Sequence, residues 1–221
     1  QTAGFSIVSY TGTGSAGTVG HGLNADMGMV ITKTRESSNG WIVWHKSLSS
    51  STDNYLQLNL TDAVGTLSNY WGSGGVTSSV FGLGTFTGNN TSGEGMIAYC
   101  FAPVAGFSAF GSYTGNGASG YPDADGPFVY VGFRPRFVLI KASSQSENWV
   151  IYDTARSTFN VLDDQLYPNA STAETSGANR EIDVYSNGFK IRSNGGFVNA
   201  SGATYIYAAF AEHPFKTARA R

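Results

Sequence analysis

Two carboxylates one residue apart and followed by glycine, Asp123-x-Asp125-Gly126, are the pattern in this 221-residue chain nearest to a hard-cation site. Alternate carboxylates on a turn offer oxygens to Ca²⁺, which takes about six to eight of them. The segment GYPDADGPF (120–128) supplies two, and no Glu follows at the spacing of an EF-type loop. Asp123 and Asp125 are therefore a metal candidate only behind a plain turn whose dihedrals Pro122 and Gly126 set. The three histidines, His21, His45 and His213, share no motif with a cysteine or a carboxylate at ligand spacing and read as surface or loop residues. There is no Gly-x-Ser-x-Gly. The one adjacent acidic pair, Asp163-Asp164, would point to opposite faces of a strand, whereas a glycosidase needs two carboxylates facing one cleft. No catalytic residue, no metal and no cofactor is expected.

Aromatic side chains are the other source of chemistry. Tyr70-Trp71 sits in the loop SNYWGSGG, and an exposed Trp beside a Tyr in such a loop would stack on a sugar ring or pack on a neighbouring subunit. Tyr121 and Tyr167 are further versions of the same ligand-binding idea. Trp41 and Trp149 lie in apolar strand patterns and read as core.

These residues sit on a framework that occurs twice. FSIVSYTGTG (5–14) returns as FSAFGSYTGNG (107–117), and Trp41-Ile42-Val43-Trp44 returns as Trp149-Val150-Ile151-Tyr152, each eight residues after a lysine, Lys33 and Lys141. NTSGEGMIAYCFA (90–102) returns as NASGATYIYAAFA (199–211). Three blocks in one order at nearly equal gaps mark an internal duplication. The predicted domains are a first β-sandwich repeat over 1–104 and a second over 105–221, the latter with an insertion at 118–128 and a basic C-terminal tail. YLQLNLT (55–61) alternates as a strand with Leu56, Leu58 and Leu60 on one face, and GFKIRS (188–193) turns Phe189 and Ile191 inward. MIAYCFA and YIYAAFA are apolar on both faces, which predicts central strands covered on both sides. Dense Gly, Ser, Thr and Asn and the lack of an amphipathic helical period complete an all-β prediction: two tandem duplicated β-sandwich modules of jelly-roll or lectin type.

Net charge is −2, and no Lys/Arg cluster is interleaved with aromatics, so a nucleic-acid partner is not expected. No apolar run is long enough to insert in a membrane as a helix. The lone Cys100 excludes an internal disulfide, and Gln1 in place of Met reads as a processed or truncated end. Residues 1–104 hold only Lys33, Arg35 and Lys46 against Asp26, Glu36, Asp53, Asp62 and Glu94. That is sparse for a solvated surface and predicts cover by other copies or other proteins, since interfaces deplete charge at their centres.

The blocks FVLIKAS (137–143), NWVIYDTAR (148–156), YSNGFKI (185–191) and NASGATYIYAAFAEHPFK (199–216) resemble a repeat of virion proteins of tailed bacteriophages, in particular tail-fibre and other structural proteins of marine phages. The first half departs from it at His45, where the second has Asp153, and at Phe81-Gly82-Leu83, where the second has a Gly-Phe turn. The resemblance implies a virion location and a non-enzymatic structural protein, a tail-fibre or surface-exposed component involved in host attachment by multivalent display. Its implied partners are other virion proteins and further copies of the chain, with a host-surface glycan as a possible ligand. The alternatives are a capsid decoration or assembly protein without ligand, and a carbohydrate-binding adhesin.

Overall fold

A computed structural model describes residues 4–213. Gln1 and the tail residues Lys216, Arg219 and Arg221 lie outside the described residues. The chain is all-β and forms two compact units, Gln1–Pro103 and Val104–Arg221.

In the first unit the strands are β1 (Phe5–Thr11), β2 (Gly17–Gly20), β3 (Met29–Thr34), β4 (Ile42–His45), β5 (Asn54–Gln57), β6 (Gly65–Thr66), β7 (Val80–Leu83) and β8 (Gly95–Phe101), with one helical turn α1 (Thr87–Asn90). An antiparallel sheet runs β1-β8-β3-β4-β5-β6, and β2 pairs with β7 in a second, two-stranded sheet. Alternation decides which side chains go inward. Val30, Ile42, Trp44, Ala98 and Cys100 leave the large sheet on one face and meet Phe81 and Leu83 from β7 in one core.

The second unit repeats this plan with β9 (Ser108–Thr114), β10 (Phe128–Tyr130), β11 (Pro135–Ala142), β12 (Val150–Asp153), β13 (Ile182–Tyr185), β14 (Gly188–Ile191) and β15 (Thr204–Ala211), and the turn α2 (Gly196–Asn199). One sheet runs β12-β11-β15-β9 and the other β10-β14-β13. Val138, Ile140, Tyr152, Tyr205 and Tyr207 from the first face Val129, Val184, Phe189 and Ile191 from the second across a shared core.

The duplication extends to single hydrogen bonds. Tyr10 donates its hydroxyl to the Asn89 carbonyl at 2.7 Å, and Tyr113 donates to the Val198 carbonyl at 2.8 Å. Lys33 Nζ donates to the Thr34 carbonyl and Lys141 Nζ to the Ala142 carbonyl, both at 2.7 Å. Asn90 and Asn199, both fully buried, end the two helical turns and tie loops together. Asn90 accepts from Thr13 N at 2.8 Å and donates to Gly84 O at 2.6 Å; Asn199 accepts from Asn116 N at 2.9 Å and donates to Ser193 O at 2.8 Å. A side-chain amide has both donor and acceptor, which is what a loop with one orphan N–H and one orphan C=O requires.

Three expectations are corrected. The strand predicted over 55–61 ends at Gln57, and Leu60 is exposed, because Leu60 N bonds back to the Gln57 carbonyl and closes a turn. In β8 only Met96, Ala98 and Cys100 are buried; Ile97, Tyr99 and Phe101 sit half-buried on the outer face of the sheet. Trp41 is 37% exposed on that same face, stacked on Tyr99 at 6.3 Å, whereas Trp149 is buried.

Candidate functional site

The first unit holds a cleft of about 250 Å³ lined by Asn39, Gly40, Ile42, Tyr55, Gln57, Leu67, Tyr70, Phe86, Thr87 and Gly88. Its wall is a column of three rings. Tyr55 stacks on Tyr70 at 4.4 Å with planes 16° apart, and Tyr70 stacks on Phe86 at 5.1 Å and 8°. Glycines make the column possible. A Cβ at Gly65 would run into the Tyr55 ring, and one at Gly88 would collide with the Tyr70 hydroxyl. Burial, and then the neighbouring Tyr55, raise the Tyr70 phenol well above its ordinary pKa, so it enters the site as a neutral hydroxyl. Asn39 is fixed by its amide nitrogen, which donates to the Thr87 carbonyl at 3.3 Å and to Thr91 Oγ1 at 3.1 Å.

Of the four aromatic candidates, Tyr70 alone lines this cleft. Trp71, expected to be exposed, is fully buried and donates Nε1–H to the Asn54 carbonyl at 3.0 Å. The reason is local. Trp71 N bonds to Thr52 O at 2.8 Å, and Gly82 opposite has no side chain to hold the loop off β7, so the indole plugs the core. Its faces are not available to a sugar. Tyr121 is exposed in the insertion loop, away from the cleft residues in sequence and unit. Tyr167 is half-buried, donates to Gln165 Oε1 at 2.9 Å and accepts from Thr175 Oγ1 at 3.0 Å.

Asp123 and Asp125 are both exposed. Lys190 Nζ lies 2.5 Å from Asp125 Oδ1 and holds that carboxyl below its usual pKa, so a cation there would have to displace an ammonium. Among the described residues no group of three or more His, Cys, Asp or Glu is placed to share a metal. His21 and His45, expected at the surface or in loops, are both buried.

His21 carries a testable consequence. Leu23 N–H donates to Nδ1 at 3.2 Å, which leaves the proton on Nε2 facing the Thr77 carbonyl at 3.3 Å. Desolvation holds its pKa below the ordinary 6.5. The unfolded chain therefore takes up a proton near 6.5 that the folded chain refuses until lower pH. Stability from neutral His21 is complete above that value and is lost as pH falls from it towards the folded pKa. Thermal melts should show the midpoint dropping below pH 6.5, with a smaller drop in His21→Gln. Equal slopes in the two proteins would refute the assignment.

Tyr55, Phe86, Asn39 and Gln57 escaped the sequence reading. Tyr55 reads as strand alternation, and only the fold joins residues from 39 to 88 at one point. One signal was available: in the duplicated frame Asn90 matches Asn199, so Gly88 stands where the second unit has Phe197.

Residues 1–214 match the model of a family described as a domain of unknown function, DUF7483. No curated protein and no solved structure matches the chain.

Proposed function

The chain belongs to the DUF7483 family, and from that premise we propose that it is a non-enzymatic structural protein of a tailed-bacteriophage virion, displayed at the particle surface and engaged in host attachment. What carries the reading is where the reactive and apolar groups lie. Buried polar side chains such as Asn90 and Asn199 are committed to holding loops, and Lys141 Nζ bonds the carbonyl of its strand neighbour Ala142. Apolar side chains, by contrast, stand outward on both units. On the first, Phe5 and Ile7 of edge strand β1 and Trp41 are 42%, 56% and 37% exposed. On the second, Tyr130 and Tyr185 flank Gly188 on the small sheet, and Phe128 packs edge-on to Tyr185 at 6.0 Å. Exposed aromatics grouped on sheet faces are contact surfaces. The charge-poor first unit supports the same reading, with other copies or other virion proteins as its cover.

Two measurements test it. Peptide mass spectrometry of purified particles from the source culture is expected to find the chain, and gold-labelled antibody is expected to mark it on the particle surface. Absence from the particles would sink the virion assignment. Light scattering of the purified chain is expected to give an oligomer that Ile7→Glu converts towards monomer. A monomer at all concentrations would transfer the contact role to a different virion protein.

A further inference from the structure

Gly88 and Phe197 occupy the same place in the two units, and what they line differs. The equivalence follows from the registers. Asn90 and Asn199 make the same bonds, and Val43 pairs with Leu56 as Ile151 bridges Leu166. Tyr55 then matches Gln165, Gln57 matches Tyr167, and Asn39 matches Glu147. In the second unit Phe197 and Tyr167 pack against the core, and Glu147 closes against Gly196 so tightly that a Cβ there would strike its carboxylate. In the first unit the same place is the open cleft, because glycine stands at 88 and 40. One copy of the scaffold is filled. The other is hollow.

We propose that this cleft binds one neutral pyranose ring of a saccharide chain, a reading that rests on the surface-recognition role above and names its ligand class. Every lining residue is uncharged, so nothing there neutralises an acidic or basic ligand. The polar groups are those that serve hydroxyls, which both donate and accept. The Tyr70 ring is buried, and its hydroxyl, which has no hydrogen-bond partner among the described residues, borders the cleft at Gly88. A phenol hydroxyl both donates and accepts, so a ligand hydroxyl at that edge can pair with it. Asn39, its nitrogen held by Thr87 and Thr91, has a side-chain carbonyl oxygen that no described residue engages, and Thr87 is among the lining residues. Tyr55, Phe86, Ile42 and Leu67 offer the apolar side that the C–H face of a sugar needs. Size sets the number of rings. About 250 Å³ falls below the roughly 300–1,000 Å³ of drug-sized sites and above the about 150 Å³ that holds benzene.

The test is saturation-transfer NMR on the full 221-residue chain with the methyl glycosides of glucose, galactose, mannose and N-acetylglucosamine, beside glucuronate and adenosine as charged and planar controls. At least one neutral glycoside is expected to bind, on the order of millimolar. Tyr70→Phe removes one oxygen that bonds none of the described residues. It is expected to melt like the parent and to bind about five- to tenfold more weakly, the effect of one hydrogen bond. Leu67→Ser, at the exposed rim, is expected to weaken binding while leaving the fold intact. Silence from all four glycosides overturns the proposal, as does tighter binding of glucuronate or adenosine, or equal binding by parent and Tyr70→Phe. Detection of the chain on particles is read separately, so a silent cleft leaves the virion reading standing, and a binding cleft survives its failure.

Discussion

Asn199→Ala is expected to destabilise the second unit by about 1–3 kcal/mol, and Asn90→Ala to do the same to the first. Each asparagine is wholly buried, and the carbonyl it donates to, Gly84 for Asn90 and Ser193 for Asn199, belongs to a buried residue, whereas Thr13 and Asn116 lie at the surface. Truncating Asn199 leaves the Ser193 carbonyl dry and returns the Asn116 N–H to solvent; truncating Asn90 does the same to the Gly84 carbonyl and the Thr13 N–H. Each such group left dry costs about 1–3 kcal/mol, more than the net worth of the bond itself. Asn199→Asp separates the two halves of the effect, since it keeps the acceptor for Asn116 and loses the donor to Ser193. Urea unfolding followed by fluorescence reads all three. Because the two asparagines sit in different compact units, each variant is expected to move one part of the transition and leave the other. Losses below about 0.5 kcal/mol in both alanine variants would mean that water replaces the amides, and the loop-tie account would fail.

The second large effect separates two tryptophans that the sequence presents in reverse. Trp71→Ala is expected to cost about 3–5 kcal/mol, the range for emptying a core of an indole, with the Asn54 carbonyl orphaned in addition. Trp41→Ala is expected to cost about 1 kcal/mol or less, since it gives up one ring contact with Tyr99 on a partly exposed face. The same denaturation experiment decides it, and similar losses for the two would overturn the burial assignment. Tyr70→Phe, next door to Trp71, should leave the melt unchanged, which makes the pair a sharp local comparison.

That reversal shows where sequence reasoning held and where it stopped. The all-β class was legible because alternation and turn residues act within a few positions: Phe189 and Ile191 turn inward, with Lys190 and Arg192 less buried beside them. The duplication was legible because Lys33 and Lys141, or Asn90 and Asn199, must keep their spacing to reach the same carbonyls. Burial of an individual ring was not, because it depends on what folds over it. Trp71 lies in a Gly-rich loop, which suggests a surface; the small residues instead let that loop settle onto β7. Trp41 and Trp149 share a motif, yet one is partly exposed and the other buried, so a motif repeated in sequence need not repeat its surroundings. The cleft was illegible for a related reason. Its lining comes from four separate stretches between 39 and 88, none of which carries a reactive residue type.

One topological detail bears on how such a protein would carry load. In each unit the first and last strands are neighbours, with Phe5 beside Phe101 and Ser108 beside Phe210. The chain thus enters and leaves each unit side by side. Modules with adjacent ends can be copied in tandem without disturbing their interior. Tension applied through those ends, however, pulls two antiparallel strands apart from one end. Their hydrogen bonds then open one after another, like a zipper, instead of resisting together in shear. A particle built with this chain would do better to bear force through the sides of the units than along the polypeptide.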